Sequence, residues 1–184
     1  HVAYYLLEGD LLGYSTHGLI RLLNNCQWLE RGESQPKGQP QVLQQRAAVA
    51  NWDAQRLPGP YVMPMAINEA IQMAKQAGTG TITVRRSQHI ASLAAYLSLA
   101  TEQGMMVSLM CSTPGQRAVA PFGAKQAVYS PNPFAVGVPS SGDPILLDIS
   151  LSMTAAGKVR QAKANQQKLP YNALVTAQGE WTDD

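Results

Sequence analysis

The sequence has little charge and no long apolar run, and each shortage excludes a class of protein. Charged residues make up 14% of its 184 residues, and the formal net charge is only +2. No block of like charges is present, so nothing indicates binding to nucleic acid. No apolar run reaches the roughly 18 residues of a membrane span, so we expect no insertion into a membrane. The low charge instead suggests that part of the surface is covered, by a second subunit or by further chain.

Cysteine is almost absent, and several cofactor motifs are missing altogether. The two cysteines, Cys26 and Cys111, are far apart and form no Cys-x-x-Cys motif, which favours reduced thiols in a cytoplasmic protein. No group of histidine, cysteine or carboxylate residues has metal-ligand spacing, so we expect no metal. No Gly-x-Gly-x-x-Gly motif follows a predicted strand, and no Walker loop is present. These absences argue against an ordinary Rossmann site.

The two ends of the sequence do not resemble natural termini. Residues 1–4 open directly into an apolar stretch, and residues 181–184 stop within a predicted loop. We therefore expect a chain truncated at both ends. The hydrophobic fraction of 45% is nevertheless high enough for a sizeable core.

Hydrophobic periodicity predicts alternating helices and strands. The predicted helices cover residues 17–30, 63–74, 90–97 and 153–165. The predicted strands cover residues 42–52 (as short pieces), 79–85, 105–111 (as a central strand), 134–138 and 145–149 (as a hairpin). Gly78 is placed to end the second helix. This order predicts an α+β fold, with a mixed sheet and helices packed on it.

Two of the three histidines are candidates for acid–base chemistry. His1 is terminal, which leaves His17 and His89, and imidazole exchanges a proton near neutral pH. His17 lies between Thr16 and a glycine, and Arg21 follows four residues later. In a helix His17 and Arg21 would share one face, where the guanidinium could hold a carboxylate through two hydrogen bonds. The alternative is a histidine bonded to backbone and an arginine on a helix surface.

His89 lies between a predicted strand and a predicted helix. Such junctions often form active sites, because a helix N-terminus attracts anions and hydrogen-bond acceptors. A histidine that only caps the helix is the alternative. A nucleophilic Cys111 paired with His89 is conceivable, but the apolar strand around Cys111 favours a thiol in the core.

Six short motifs occur in the order found in one enzyme family. They are Thr16-His17-Gly18 with Arg21, Ser87-Gln88-His89, Ala120-Pro121-Phe122-Gly123, Asn132-Pro133, Leu147-Asp148-Ile149-Ser150 and Gly157-Lys158. Each motif alone is weak, but together, over about residues 6–184, they resemble the malate/L-lactate dehydrogenase family of NAD(P)-dependent oxidoreductases. This family is distinct from the Rossmann-type lactate and malate dehydrogenases.

The resemblance implies a fold and an assembly. Residues 1–85 would be a partial N-terminal domain for substrate binding and dimerisation. Residues 86–184 would be a partial NAD(P)-binding domain, with a non-Rossmann, largely antiparallel mixed sheet flanked by helices. The family's chains are longer, in agreement with the truncated ends, and its members usually form homodimers.

The resemblance also implies a reaction: hydride transfer between NAD(P)H and a small 2-oxo or 2-hydroxy acid, such as malate or lactate. Either His17 or His89 would be the acid/base, Arg21 would hold the substrate carboxylate, and Thr16 would orient His17. The residues expected to contact NAD or NADP are His89, Ile90, Ala91, Ser92, Leu93, Ser112, Thr113, Asp148, Ile149 and Ser150. Nothing in the sequence selects one of the two cofactors, although Arg85, Arg86, Lys125 and Lys158 could each meet a 2′-phosphate.

Two alternative functions fit the same motifs. The first is a reductase of cyclic imino acids, such as the piperideine and pyrroline carboxylates, which would use the same histidine and arginine. The second is a truncated chain that binds a ligand without catalysis.

Overall fold

The computed structural model describes all residues from 1 to 184. Its α-helices are α1 (Val2–Leu11), α2 (Leu22–Glu30), α3 (Gly59–Ala77), α4 (Ser98–Thr101) and α5 (Ala156–Ala164). Two short 3-10 helices cover Leu19–Arg21 and Ala94–Tyr96. None of the helices combines the length and the apolar character needed to cross a membrane.

Eight strands form three small sheets. The strands are β1 (Gln41–Gln45), β2 (Val49–Asp53), β3 (Thr81–Arg85), β4 (Val107–Met110), β5 (Phe134–Val138), β6 (Ile145–Ile149), β7 (Leu174–Val175) and β8 (Trp181–Thr182). The sheet orders are β1-β2-β3, β4-β5-β6 and β7-β8. Strands β1 and β2 are antiparallel, whereas β2 and β3 are parallel. The predicted mixed α+β fold and the predicted hairpin of β5 and β6 are confirmed.

Helix α3 connects the parallel strands β2 and β3, a connection that needs a long crossover. Its buried positions include Val62, Ala66, Ile67 and Ile71. Val62 and Ala66, like Ile67 and Ile71, are four residues apart, and this spacing gives one apolar face. Trp52 of β2 packs with that face in one core cluster. The helix starts four residues before its predicted start and ends at Gly78, which has φ 80°, as predicted.

Three predicted helices are shorter than expected. The helix predicted over residues 17–30 begins only at Leu22, after a turn and a 3-10 helix. The helix predicted over 90–97 is largely a loop, since Ala91 has φ 59°, which no α-helix accommodates. The helix predicted over 153–165 begins at Ala156. The spacing of apolar residues predicts that these helices exist, but local turns of the backbone determine where each helix begins.

Strand β4 was predicted to be central, and this prediction is wrong for the sheet that the chain forms. It is an outer strand in the order β4-β5-β6. Its apolar composition resembled that of a buried strand, yet Met110 is 72% exposed.

The chain divides into two compact units. The first contains His1–Ser108 and Val136–Leu147, and the second contains Leu109–Ala135 and Asp148–Asp184. The buried core described above belongs to the first unit. The domain boundary expected between residues 85 and 86 stays a prediction.

Candidate active site

The first unit brings His17 and His89 together, although they are distant in the sequence. Their rings are stacked, with centroids 5.5 Å apart and planes 22° from parallel. His17 does not lie on a helix, so its predicted helical spacing from Arg21 is wrong. It ends a turn in which its N–H donates to the Tyr14 carbonyl at 2.8 Å, and Arg21 ends the following 3-10 helix.

Thr16, His17 and Arg21 are linked by hydrogen bonds. The Thr16 hydroxyl lies 2.8 Å from His17 Nδ1. The Nε–H of Arg21 donates to the Thr16 carbonyl at 2.8 Å, and the Asn25 side-chain amide donates to the Arg21 carbonyl at 2.8 Å. The arginine therefore folds back towards the turn that carries His17.

Gly18 lets helix α1 approach this turn closely. An added Cβ at Gly18 would lie only 2.0 Å from Asp10 Oδ1, so no other residue fits without movement. The opposite carboxylate oxygen of Asp10 accepts the Leu19 N–H at 2.9 Å. The glycine of the Thr-His-Gly motif thus makes room for a carboxylate that fixes the start of the 3-10 helix. Nothing in the sequence indicated Asp10.

His89 is held by a loop with an unusual backbone. The N–H of Ala91, which has φ 59°, donates to His89 Nδ1 at 3.1 Å. The neutral ring therefore carries its proton on Nε2. The buried Tyr96 hydroxyl donates to the Ile90 carbonyl at 2.7 Å. Helix α3 begins against the same loop, since a Cβ at Gly59 would lie 2.5 Å from the His89 carbonyl oxygen.

The surroundings of His89 keep its imidazole neutral. Burial first, and then the positive charges of Arg21 and His17, lower the pKa of His89 to about 3. A buried imidazole next to a guanidinium resists protonation, because its charged form is poorly solvated and repelled. At neutral pH His89 is therefore a hydrogen-bond donor through Nε2.

A buried carboxylate anchors the start of the His89 loop. Asp53 is 1% exposed, at the end of β2, and it is opposite Arg85 in the parallel register. Arg85 Nε donates to Asp53 Oδ2 at 2.9 Å, and Arg86 donates to both carboxylate oxygens, at 2.8 and 2.9 Å. The Gln55 N–H adds a bond at 2.9 Å. We call Asp53, Arg85 and Arg86 the Asp53 clamp.

The Asp53 clamp changes the expected role of the two arginines. Hydrogen bonds from Arg86, Gln55 and Arg85 lower the pKa of Asp53 to about 2, against the opposing effect of burial. Both guanidiniums bind this carboxylate, and the loop that leads to His89 starts directly after them. In the sequence, the clamp corresponds to an acidic residue at the end of one strand and two arginines at the end of the next. Hydrophobic periodicity does not predict that these two strands pair in parallel, so it does not predict that the three residues meet.

The other predicted cofactor residues lie in the second unit. The Thr113 N–H donates to the Ser130 hydroxyl at 3.1 Å, and the Leu151 N–H donates to the Pro131 carbonyl at 2.8 Å. The segments 111–113 and 148–151 are thus joined through residues 130–133. A hollow of about 370 Å³ lies beside them, lined by Met110, Cys111, Ser112, Asn132, Pro133 and Phe134.

Cys111 lies in this hollow but is not a thiolate at neutral pH. Burial, and next the negative charge of Asp148, raise the pKa of Cys111 to about 11. A thiol is nucleophilic only when deprotonated, so the structure agrees with the interpretation of Cys111 as an unreactive thiol. Cys26 and Cys111 form no disulfide.

The family model for malate/L-lactate dehydrogenase matches residues 1–184, so the chain belongs to that family. An L-sulfolactate dehydrogenase of Methanothermobacter thermautotrophicus is 28% identical over 183 residues, which are 100% of this chain and 53% of the relative. Among solved structures, a dehydrogenase from Sinorhizobium meliloti is 31% identical with a TM-score of 0.92, over 99% of this chain and 53% of the other. The sulfolactate dehydrogenase of Methanocaldococcus jannaschii is 28% identical with a TM-score of 0.88, over 98% and 52%.

The chain spans about half the length of these relatives. The likeness therefore covers one continuous portion of the family's fold, and it includes every motif on which the resemblance depended.

Proposed function

We propose that the protein to which this chain belongs is an NAD(P)-dependent oxidoreductase of small 2-oxo and 2-hydroxy acids. The observation that supports this most directly is the group of stacked His17 and His89 rings with Thr16 and Arg21 beside them. It offers a proton carrier and a cation for a carboxylate in one place. The names of the relatives, sulfolactate and malate dehydrogenases among them, support the same substrate class.

The predicted cofactor residues of the second unit carry chemical groups that can bind a nicotinamide nucleotide. Ser112 and Thr113 have exposed side chains, and hydroxyls of this kind bind ribose or a carboxamide. The hollow beside them, of about 370 Å³, has room for a ring. When bound, the nicotinamide cofactor would supply or accept the hydride. NAD and NADP remain equal candidates, although the Asp53 clamp makes Arg85 and Arg86 weaker candidates for a 2′-phosphate.

In this proposal His17 is the acid/base and His89 is a neutral donor. Thr16 holds Nδ1 of His17, so Nε2 is the atom that gives a proton to the substrate oxygen on reduction and accepts it on oxidation. His89, neutral at physiological pH, donates a hydrogen bond through Nε2 and limits rotation of the stacked ring. Arg21 binds the substrate carboxylate.

The experiment is to replace each histidine in the complete protein. His17→Asn should lower kcat by roughly 10²–10⁴, the usual value of positioned proton transfer. His89→Asn should lower kcat less and shift its pH profile, because the stacked neighbour of His17 is lost. His1→Asn is the matched control and should leave kcat unchanged. Wild-type turnover in His17→Asn would exclude His17 as the acid/base.

A substrate panel separates the proposal from its alternatives. Oxidation of NADH and NADPH is followed with oxaloacetate, pyruvate, sulfopyruvate and a cyclic imine, Δ1-piperideine-2-carboxylate. We expect the 2-oxo acids to have the higher kcat/KM, and a preference for the imine would identify an imino acid reductase instead. A protein that binds neither cofactor would be a non-catalytic binding chain. A homodimer and a cytoplasmic location complete the proposal.

A further inference from the structure

A second cavity lies in the first unit, and unlike the hollow beside Cys111 it is lined by polar and cationic side chains. It has a volume of about 290 Å³. Lys37, Arg56 and Arg86 line it together with the amides of Gln35 and Gln55, and no carboxylate lines it. We call this cavity the cationic pocket. A wall of three cations and two amides is suited to an anion.

The charge of the cationic pocket is not balanced within the chain. The only carboxylate in ion pairs with any of its cations is Asp53, which faces both Arg85 and Arg86. Two guanidiniums on one carboxylate leave a surplus of one positive charge. The side chains of Lys37 and Arg56 make no ion pair or hydrogen bond within the chain, so they add to that surplus.

The backbone around the cationic pocket is held in a rare conformation. Gln55, Arg56 and Arg86 have φ values of 51°, 63° and 55°, in the left-handed region that residues other than glycine seldom adopt. Hydrogen bonds fix this arrangement: the Arg56 N–H donates to the Arg86 carbonyl at 2.7 Å, and the Arg56 carbonyl accepts the Gln35 N–H at 3.0 Å. Backbone strain of this kind persists where the surroundings enforce it, and it is concentrated at functional sites.

We propose that the cationic pocket binds a small phosphate-type oxyanion, either inorganic phosphate or the phosphate group of a monoester. The Arg56 guanidinium can bind such oxygens through two parallel hydrogen bonds, and the Lys37 ammonium adds further donors. Arg86 holds Asp53 through two of its nitrogens, so it contributes its charge rather than a second two-pronged contact. The pocket is separate from the His17–His89 group, so the proposal does not depend on the proposed function.

An anion in the cationic pocket would also brace the loop that carries His89. The pocket residue Leu57 accepts the Gln88 N–H at 3.1 Å through its carbonyl, and the Arg86 carbonyl accepts from Arg56. The bound ion would therefore hold both sides of the segment that leads to His89. It would stabilise the native state by an amount that grows with the logarithm of its concentration above Kd.

The test is a titration of the complete protein with inorganic phosphate and with glycerol 3-phosphate, at constant ionic strength, by isothermal calorimetry. We expect saturable binding of one ion per chain. Arg56→Gln should raise Kd about tenfold, the effect of one charge-assisted contact, and Lys37→Gln should also raise it. Arg46→Gln, which changes an exposed arginine of the same unit outside the pocket, should leave Kd unchanged.

The results identify which anion binds, and they include results that would overturn the proposal. Tighter binding of the ester, by tenfold or more, would identify a phosphorylated metabolite, whereas equal binding would identify phosphate itself. A phosphate-dependent rise in Tm in the wild type that is smaller in Arg56→Gln at the same phosphate concentration would support the same site. Binding that does not saturate, or that Arg46→Gln weakens as much as Arg56→Gln, would overturn the proposal. Retained far-UV circular dichroism checks that each variant is folded.

Discussion

At the residue scale, the two histidines of the site are not equivalent. His89 accepts a backbone N–H at Nδ1 and has a pKa lowered to about 3, so protonation would both break that bond and place a charge beside Arg21. His17 is bonded to a hydroxyl, which can donate or accept and so tolerates a change in the protonation of the ring. The difference follows from the partners of the two rings, which the sequence did not reveal.

The lowered pKa of His89 predicts a loss of stability in mild acid. Between its ordinary pKa of 6.5 and about 3, the unfolded chain binds a proton at His89 that the native chain does not. Stability should therefore fall as pH falls through this window, by up to about 1.4 kcal/mol per pH unit from this group. Urea unfolding of the wild type and His89→Asn at pH 6.5 and pH 5 measures it.

The His89→Asn variant should lose this part of the pH dependence, although it starts from a lower stability. His1→Asn provides the control, because the side chain of His1 is exposed and its loss should leave the slope as it is in the wild type. Parallel pH curves for the wild type and His89→Asn would mean that His89 titrates normally in the native state.

At the scale of elements, the Asp53 clamp depends on the parallel register of β2 and β3. That register brings Asp53 opposite Arg85, and the next residue, Arg86, completes the clamp. Hairpins and amphipathic helices are visible in a sequence because their signals are local, and α3 and the hairpin of β5 and β6 were predicted on that basis. A contact across a parallel pair is fixed by the whole crossover, so periodicity did not predict it.

Removing the charge of Asp53 should destabilise the protein in a pH-dependent way. The pKa of Asp53 is lowered from 3.8 to about 2, so its stabilisation is present above pH 4 and is lost as pH falls towards 2. Asp53→Asn should lower Tm at pH 7 by about 5 °C or more, and the difference from the wild type should shrink towards pH 2. Thermal unfolding followed by circular dichroism measures it.

The matched control for Asp53 is another ion pair of the chain. Lys168 binds Asp183 at 3.1 Å, but this pair is exposed, and exposed pairs contribute little to stability. Asp183→Asn should therefore shift Tm by much less than Asp53→Asn. Equal effects of the two substitutions would contradict the role assigned to the clamp.

At the scale of the whole molecule, the motifs of the sequence predicted more than its periodicity did. The order of the short motifs indicated the family, and the family model confirms it. The grouping of Thr16, His17, Arg21 and His89 was expected from the same motifs. The sequence did not indicate the residues that hold these groups in place. Asp10 and Tyr96 act through hydrogen bonds to nearby loops, Gly59 acts through a close approach to His89, and none of the three lies in a recognisable motif.

The cofactor assignment in the second unit gives a test on the complete protein. Titration with NADH and with NADPH, followed by nucleotide fluorescence, should show saturable binding of at least one of them. Ser112→Ala and Thr113→Val should each raise its Kd about two- to tenfold, the value of one hydrogen bond. Ser141→Ala, in the turn between β5 and β6, should not change Kd. Unchanged Kd in the two former variants would remove residues 112–113 from the cofactor site.

The crossover through α3 also has a consequence for the order of folding. A helix of 19 residues forms within about a microsecond. Pairing of β2 with β3 is slower, because the two strands must first be brought together across the whole segment that contains α3. The Asp53 clamp and the loop behind it can form only after that closure. Substitutions on the buried face of α3 should therefore slow folding, whereas Asp53→Asn should chiefly accelerate unfolding. His89 would then reach its place beside His17 among the last events, after the scaffold that carries both rings has already formed.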